Sequence, residues 1–92
     1  MRWVITLAMW AQEEGARFEV AYLPEGSVRM TTTRGTISLA RTVHRRVVWN
    51  NELMMLAAEA QVRSMDNLRK HPDRIDEVQG EGIELTLIEV SP

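Results

Sequence analysis

"RWVITLAMWAQ", residues 2–12, decides how the rest of this 92-residue chain is assembled. Trp3, Ile5, Leu7 and Met9 alternate with Arg2, Val4, Thr6 and Ala8, and the β-branched and aromatic content suits a strand with both faces partly covered. On such a strand Trp3 and Trp10 are an odd number of positions apart and project to opposite faces, so one indole is left for a helix, loop or partner to cover. The run has one basic residue, and Trp10 stands where a signal peptide needs a small residue, so an exported leader is not expected. No stretch approaches the ~20 apolar residues that span a bilayer, which points to a soluble, cytoplasmic chain with no membrane partner.

Working outward, "QEEGA" supplies a turn, and "RFEVAYL" alternates Phe18, Val20 and Tyr22 against Arg17, Glu19 and Ala21. An antiparallel hairpin between residues 2–11 and 17–23 is the simplest expectation. "LPEGS" is turn chemistry again, with Pro24 and Gly26 close together. Val28, Met30 and Thr32 alternate with Arg29, Thr31 and Thr33, and Arg34-Gly35 between two Thr-rich arms predicts a second tight hairpin into Thr36–Leu39. Beyond Leu39 the pattern is double-edged. Val43, Val47 and Trp49 keep a period of two, while Ala40, Val43 and Val47 fit a helical face; the β-forming content favours a strand.

The clearest element is "NNELMMLAAEAQVRSMDNLRKHP". Asn50 or Asn51 can cap it, Glu52 suits the positive end of the helix dipole, Arg69, Lys70 and His71 collect at the negative end, and Pro72 stops it. Leu53, Leu56, Ala57, Ala60, Ser64 and Leu68 line one face, widened by Met54, Ala58, Val62 and Met65. "DRIDEVQGEG" reads as a polar connection and "IELTLIEV" as a closing strand. The fold expected is α+β: a mostly antiparallel sheet of about four to five strands in the order β-β-β-β-α-β, with one main helix near residues 51–70 on one face. Residues 1–92 make one domain by length.

Composition leaves few chemistries open. With no cysteine there is no disulfide or thiolate site. His44 and His71 are the only histidines, and neither sits in a recognisable setting for a nucleophilic triad. His44 beside Arg45 and Arg46 reads as a surface residue rather than a base. There is no metal-binding histidine spacing and no EF-hand loop; Asp73, Asp76, Glu77 and Glu81 read as a solvated acidic loop, and no metal or cofactor is expected. The six methionines read as core filling.

What remains is charge. The net charge is only −2, yet Gly26–Asn51 carries Arg29, Arg34, Arg41, Arg45 and Arg46 with no acid, and Pro72–Pro92 carries six acids against Arg74. Arg41 and Arg45 share strand parity with Ile37, Leu39, Val43, Val47 and Trp49, and burying a guanidinium there without a partner is costly, so a bulge or strand end is expected near Arg41. The two charged sets can neutralise each other, or either can dock on a macromolecule. The reading taken is a non-enzymatic interaction protein, an inhibitor or regulator of a larger protein or nucleoprotein assembly. Small cysteine-free α+β proteins of this kind include phage- and plasmid-encoded inhibitors such as anti-CRISPR-type proteins, a resemblance of size class that no residue carries. The expected contact set is Arg29, Arg34, Arg41, Arg45 and Arg46 together with Asp73, Asp76, Glu77 and Glu81. The alternative is a small RNA- or DNA-binding module using the Arg29–Arg46 stretch, although Trp49 is the only stacking aromatic in the run 29–50. Homodimerisation through an exposed edge strand is a further possibility.

Overall fold

A computed structural model describes residues 2–71 and the strand 83–87. The chain is α+β with an antiparallel sheet, and it opens with a helix: α1 (Arg2–Glu14), β1 (Arg17–Tyr22), β2 (Val28–Arg34), β3 (Ile37–Val43), α2 (Arg45–Val48), α3 (Asn51–Lys70) and β4 (Ile83–Leu87). The expected β-β-β-β-α-β order is therefore wrong at its start.

The reason lies in the opening stretch. Trp3, Leu7, Trp10 and Ala11 are spaced by four, three and one, which places all four on one helical face, and all four are buried. The strand-like alternation pairs the wrong residues, for Ile5 and Met9 are each 56% exposed. A helix puts both indoles into the core together, whereas a strand would have left one outside. Its end is explicit. Gly15 adopts φ +62°, and the Ala16 N–H reaches back to the Ala11 carbonyl at 2.8 Å, the six-to-one bond of a Schellman cap.

With residues 2–14 helical, the first hairpin is β1–β2. The three strands between the helices form a meander, β1 against β2 from Arg17↔Thr33 to Tyr22↔Val28 and β2 against β3 from Val28↔Val43 to Arg34↔Ile37. Gly35, at φ +59° and followed by Thr36 at negative φ, makes the two-residue turn that Arg34-Gly35 predicts. β4 pairs antiparallel with β3, Ile37↔Leu87 to Arg41↔Ile83, so the sheet order is β1-β2-β3-β4. The expected strand through residues 40–49 stops at Val43, and a short helix follows. The connection at 72–82 lies outside the described residues.

α1 and α3 lie together on one sheet face. One part of the core joins Trp3, Leu7, Val28, Met30, Val43, Met54 and Ala58; the other joins Trp10, Ala11, Leu39 and Met65. Each fully buried large apolar side chain contributes about 1.5–3 kcal/mol of transfer free energy. Asn50 caps α3, its Oδ1 accepting from the N–H groups of Glu52 and Leu53, both at 3.1 Å. The buried stripe of α3 is Met54, Ala58, Gln61, Met65 and Leu68; it keeps Leu68 and the flanking Met54, Ala58 and Met65 of the expected face, while Leu53 and Leu56 are exposed. Gln61 explains the displacement, because a polar residue at the centre of the stripe hides it from any count of apolar positions.

Candidate partner-binding surface

The five arginines of the basic run meet three different fates. Arg41 faces the helices in step with Leu39 and Val43, as its parity requires; the β2–β3 register runs unbroken through Met30↔Arg41, so there is no bulge, and the strand ends two residues on at Val43. The guanidinium is met by side chains of α3 instead. Its Nε donates to Gln61 Oε1 at 3.2 Å and its Nη2 to Ser64 Oγ at 3.5 Å. The Gln61 amide Nε2 in turn donates to the Leu39 carbonyl at 2.8 Å and to Thr32 Oγ1 at 2.9 Å. Partial burial, with a smaller contribution from Arg63 nearby, lowers the Arg41 pKa below the ordinary guanidinium range. Arg41 is thus a structural cation held under α3.

Arg34 is pinned at the Gly35 end of the sheet. Glu14, the last residue of α1, receives both Arg34 Nη1 at 3.5 Å and Arg69 Nη1 at 3.1 Å. Neither Arg34 nor Arg41 joins the others in one patch.

Arg29, Arg45 and Arg46 lie at the other end. Arg29 projects from the sheet face turned away from the helices, where its Nε donates to Thr42 Oγ1, its cross-strand neighbour, at 3.3 Å. The chain then leaves β3 at His44, whose Nδ1 accepts the Arg46 N–H at 3.2 Å and so caps α2. This single turn is two-sided. Val47 and Val48 pack against the core, while Arg45, Arg46 and the following Trp49 are exposed, Trp49 to 80%. The sequence placed Trp49 with the core residues; only the change from strand to helical turn after Val43 rotates it outward.

The β1–β2 loop closes the flank of this surface. Gly26 has φ +95°, and a Cβ there would stand 3.3 Å from Arg45 Cβ, so the loop lies directly against that side chain. Glu25, in the same loop, accepts from Ser27 Oγ; that bond, a backbone bond and the nearby Arg29 charge hold its carboxyl below the usual carboxylate range. Glu25, Ser27, Thr42, His44 and Arg45 line a shallow concavity between loop and turn. Glu25 and His44 were not singled out as contact residues by the sequence, since their placement follows from the loop conformation.

Among the described residues no three His, Asp or Glu side chains converge as a metal site, and no helix is long and apolar enough to cross a membrane. Asp73, Asp76, Glu77 and Glu81 lie outside the described residues. Comparison with protein-family models, curated proteins and solved structures finds no match.

Proposed function

We propose that this chain is a non-enzymatic interaction protein that docks its Arg45–Trp49 turn on an acidic surface of a larger protein or nucleoprotein assembly, acting as an inhibitor or regulator of it. The observation that carries this reading is the exposure of Trp49 beside two exposed arginines on a turn anchored by Val47 and Val48. Tryptophan and arginine dominate interface hot spots, and a turn capped by His44 and packed on the core through Val47 and Val48 presents them already ordered. Arg29 extends the positive surface toward the sheet, and Glu25 gives it an acidic rim.

Trp3 and Trp10 are buried, so Trp49 is the indole a soluble quencher reaches, and its fluorescence reports on this surface. Addition of the partner should shield it from iodide, and Trp49→Ala should weaken the complex by about 2–4 kcal/mol, as hot-spot truncation does. The same titration with single- and double-stranded oligonucleotides should leave it quenchable. Shielding by oligonucleotides, with affinity falling steeply as salt rises, would replace the protein-docking reading with the nucleic-acid one.

A further inference from the structure

We propose that two copies of this chain associate through their β1 edges, pairing antiparallel about a two-fold axis at Phe18 so that Arg17 of each copy faces Glu19 of the other. This goes beyond the docking surface, which lies on a different part of the molecule and does not depend on it.

Among the described residues β1 is the terminal strand of the sheet, with β2 as its neighbour on one side only. The phase of its hydrogen bonding is set by the Leu23 N–H donating to the Ser27 carbonyl at 2.9 Å. In an antiparallel ladder, bonded and non-bonded pairs alternate, so Ala21, Glu19 and Arg17 bond to β2 while the N–H and C=O groups of Phe18 and Val20 point away from it. Edge strands are ordinarily blunted by charged side chains, above all lysine, by proline or by a bulge. Arg17–Tyr22 has no lysine or proline, its two charges Arg17 and Glu19 are opposite in sign, and its register with β2 is unbroken over all six positions.

The side chains choose the occupant. A two-fold axis perpendicular to the sheet keeps each face continuous, so even-numbered residues pair with even and odd with odd. With Phe18 on the axis, Arg17 and Glu19, both exposed, oppose Glu19 and Arg17 of the second copy. Moving the axis by one residue to Glu19 sets two carboxylates directly against each other; moving it to Val20 leaves Glu19 opposite alanine. Cross-strand opposite charges favour the first register and like charges oppose the second. In the favoured register the two Phe18 residues exchange both backbone bonds, and each Val20 N–H meets the Ala16 carbonyl of the other copy. The Ala16 N–H is already committed to Ala11. This self-complementarity, positive and negative in alternation on one exposed edge, is what a second copy supplies and an arbitrary peptide does not.

The test is sedimentation equilibrium of the purified chain over a wide concentration range, with circular dichroism to confirm folding. The wild type should approach twice the 10.6 kDa chain mass. Arg17→Glu and Glu19→Arg should each weaken association at least about tenfold, because each replaces two attractive cross-strand pairs with two repulsive ones. The double swap Arg17→Glu/Glu19→Arg should restore it, a result no general loss of stability produces. Val20→Pro removes an outward N–H without touching the ladder to β2 and should leave a folded monomer. A wild type that stays monomeric throughout, single reversals without effect, or a double swap that stays dissociated would each overturn the proposal. None of these outcomes bears on the Arg45–Trp49 surface, because no partner protein is present.

Discussion

The two ends of the β2–β3 hairpin carry arginines from one acid-free run, yet they do opposite things. At the Gly35 end, Arg34 meets a carboxylate that the end of α1 delivers to it, and Arg69 shares that carboxylate. At the other end the chain turns through α2, and Arg45, Arg46 and Trp49 face outward. Arg41, between them, is drawn under α3 by Gln61. The lesson is that a run of like charges in sequence says little about a surface; topology decides which of its members are used internally and which are presented.

The comparison breaks most severely at its middle. Gln61→Leu removes the acceptor for Arg41 Nε and the donor to the Leu39 carbonyl, leaving a half-buried guanidinium poorly satisfied. Chemical denaturation should show a loss of about 3 kcal/mol. Adding Arg41→Met should recover part of it, since removing both polar partners costs less than orphaning one. Strict additivity of the two changes would contradict the network.

The closed end depends on how α1 stops. Gly15→Ala forces a Cβ into φ +62° and should cost about 1 kcal/mol in the same assay, loosening the cap that sets Glu14 in front of Arg34 and Arg69. Arg34→Ala should cost under about 1 kcal/mol, as partly exposed ion pairs do, and raising the salt concentration should shrink that cost further. A loss as large as that of Gln61→Leu would mean that the two positions are not distinguished in the way described.

Much of this was legible in the residues. The caps and dipole charges of α3 stand in Asn50, Glu52, Arg69 and Lys70, and the tight hairpin stands in Arg34-Gly35. The parity that sends Arg41 toward the core was readable too, although the remedy was not, because it rests on a glutamine from another element. α1 was hidden by a coincidence: Ile5 and Met9 fall in step with Trp3 and Leu7 at a period of two, while Trp3, Leu7 and Trp10 carry the true helical period ahead of Gly15. Of the expected contact residues, Arg45 and Arg46 are exposed, yet strand parity sets Arg45 as well as Trp49 with the core residues, because it continues a strand through His44 where the chain turns into α2.

The smallest effect sharpens the open end. The Glu25 carboxyl has a folded pKa below its unfolded value, so its contribution to stability is present at neutral pH, begins to fade as pH falls through the ordinary carboxylate range, and is lost below the depressed value. Glu25→Gln should flatten that part of the stability–pH curve, measured by thermal melts across acid pH. An unchanged curve would place the Ser27 bond outside the energetics of the loop.

The most direct test of the central claim compares charge reversal at the two ends in one binding assay against the complex that the wild type retains from its native host. Arg45→Glu/Arg46→Glu should weaken that complex at least about a hundredfold, while Arg34→Glu should change it by less than about threefold. Equal losses at both ends, or a loss confined to Arg34→Glu, would contradict the account.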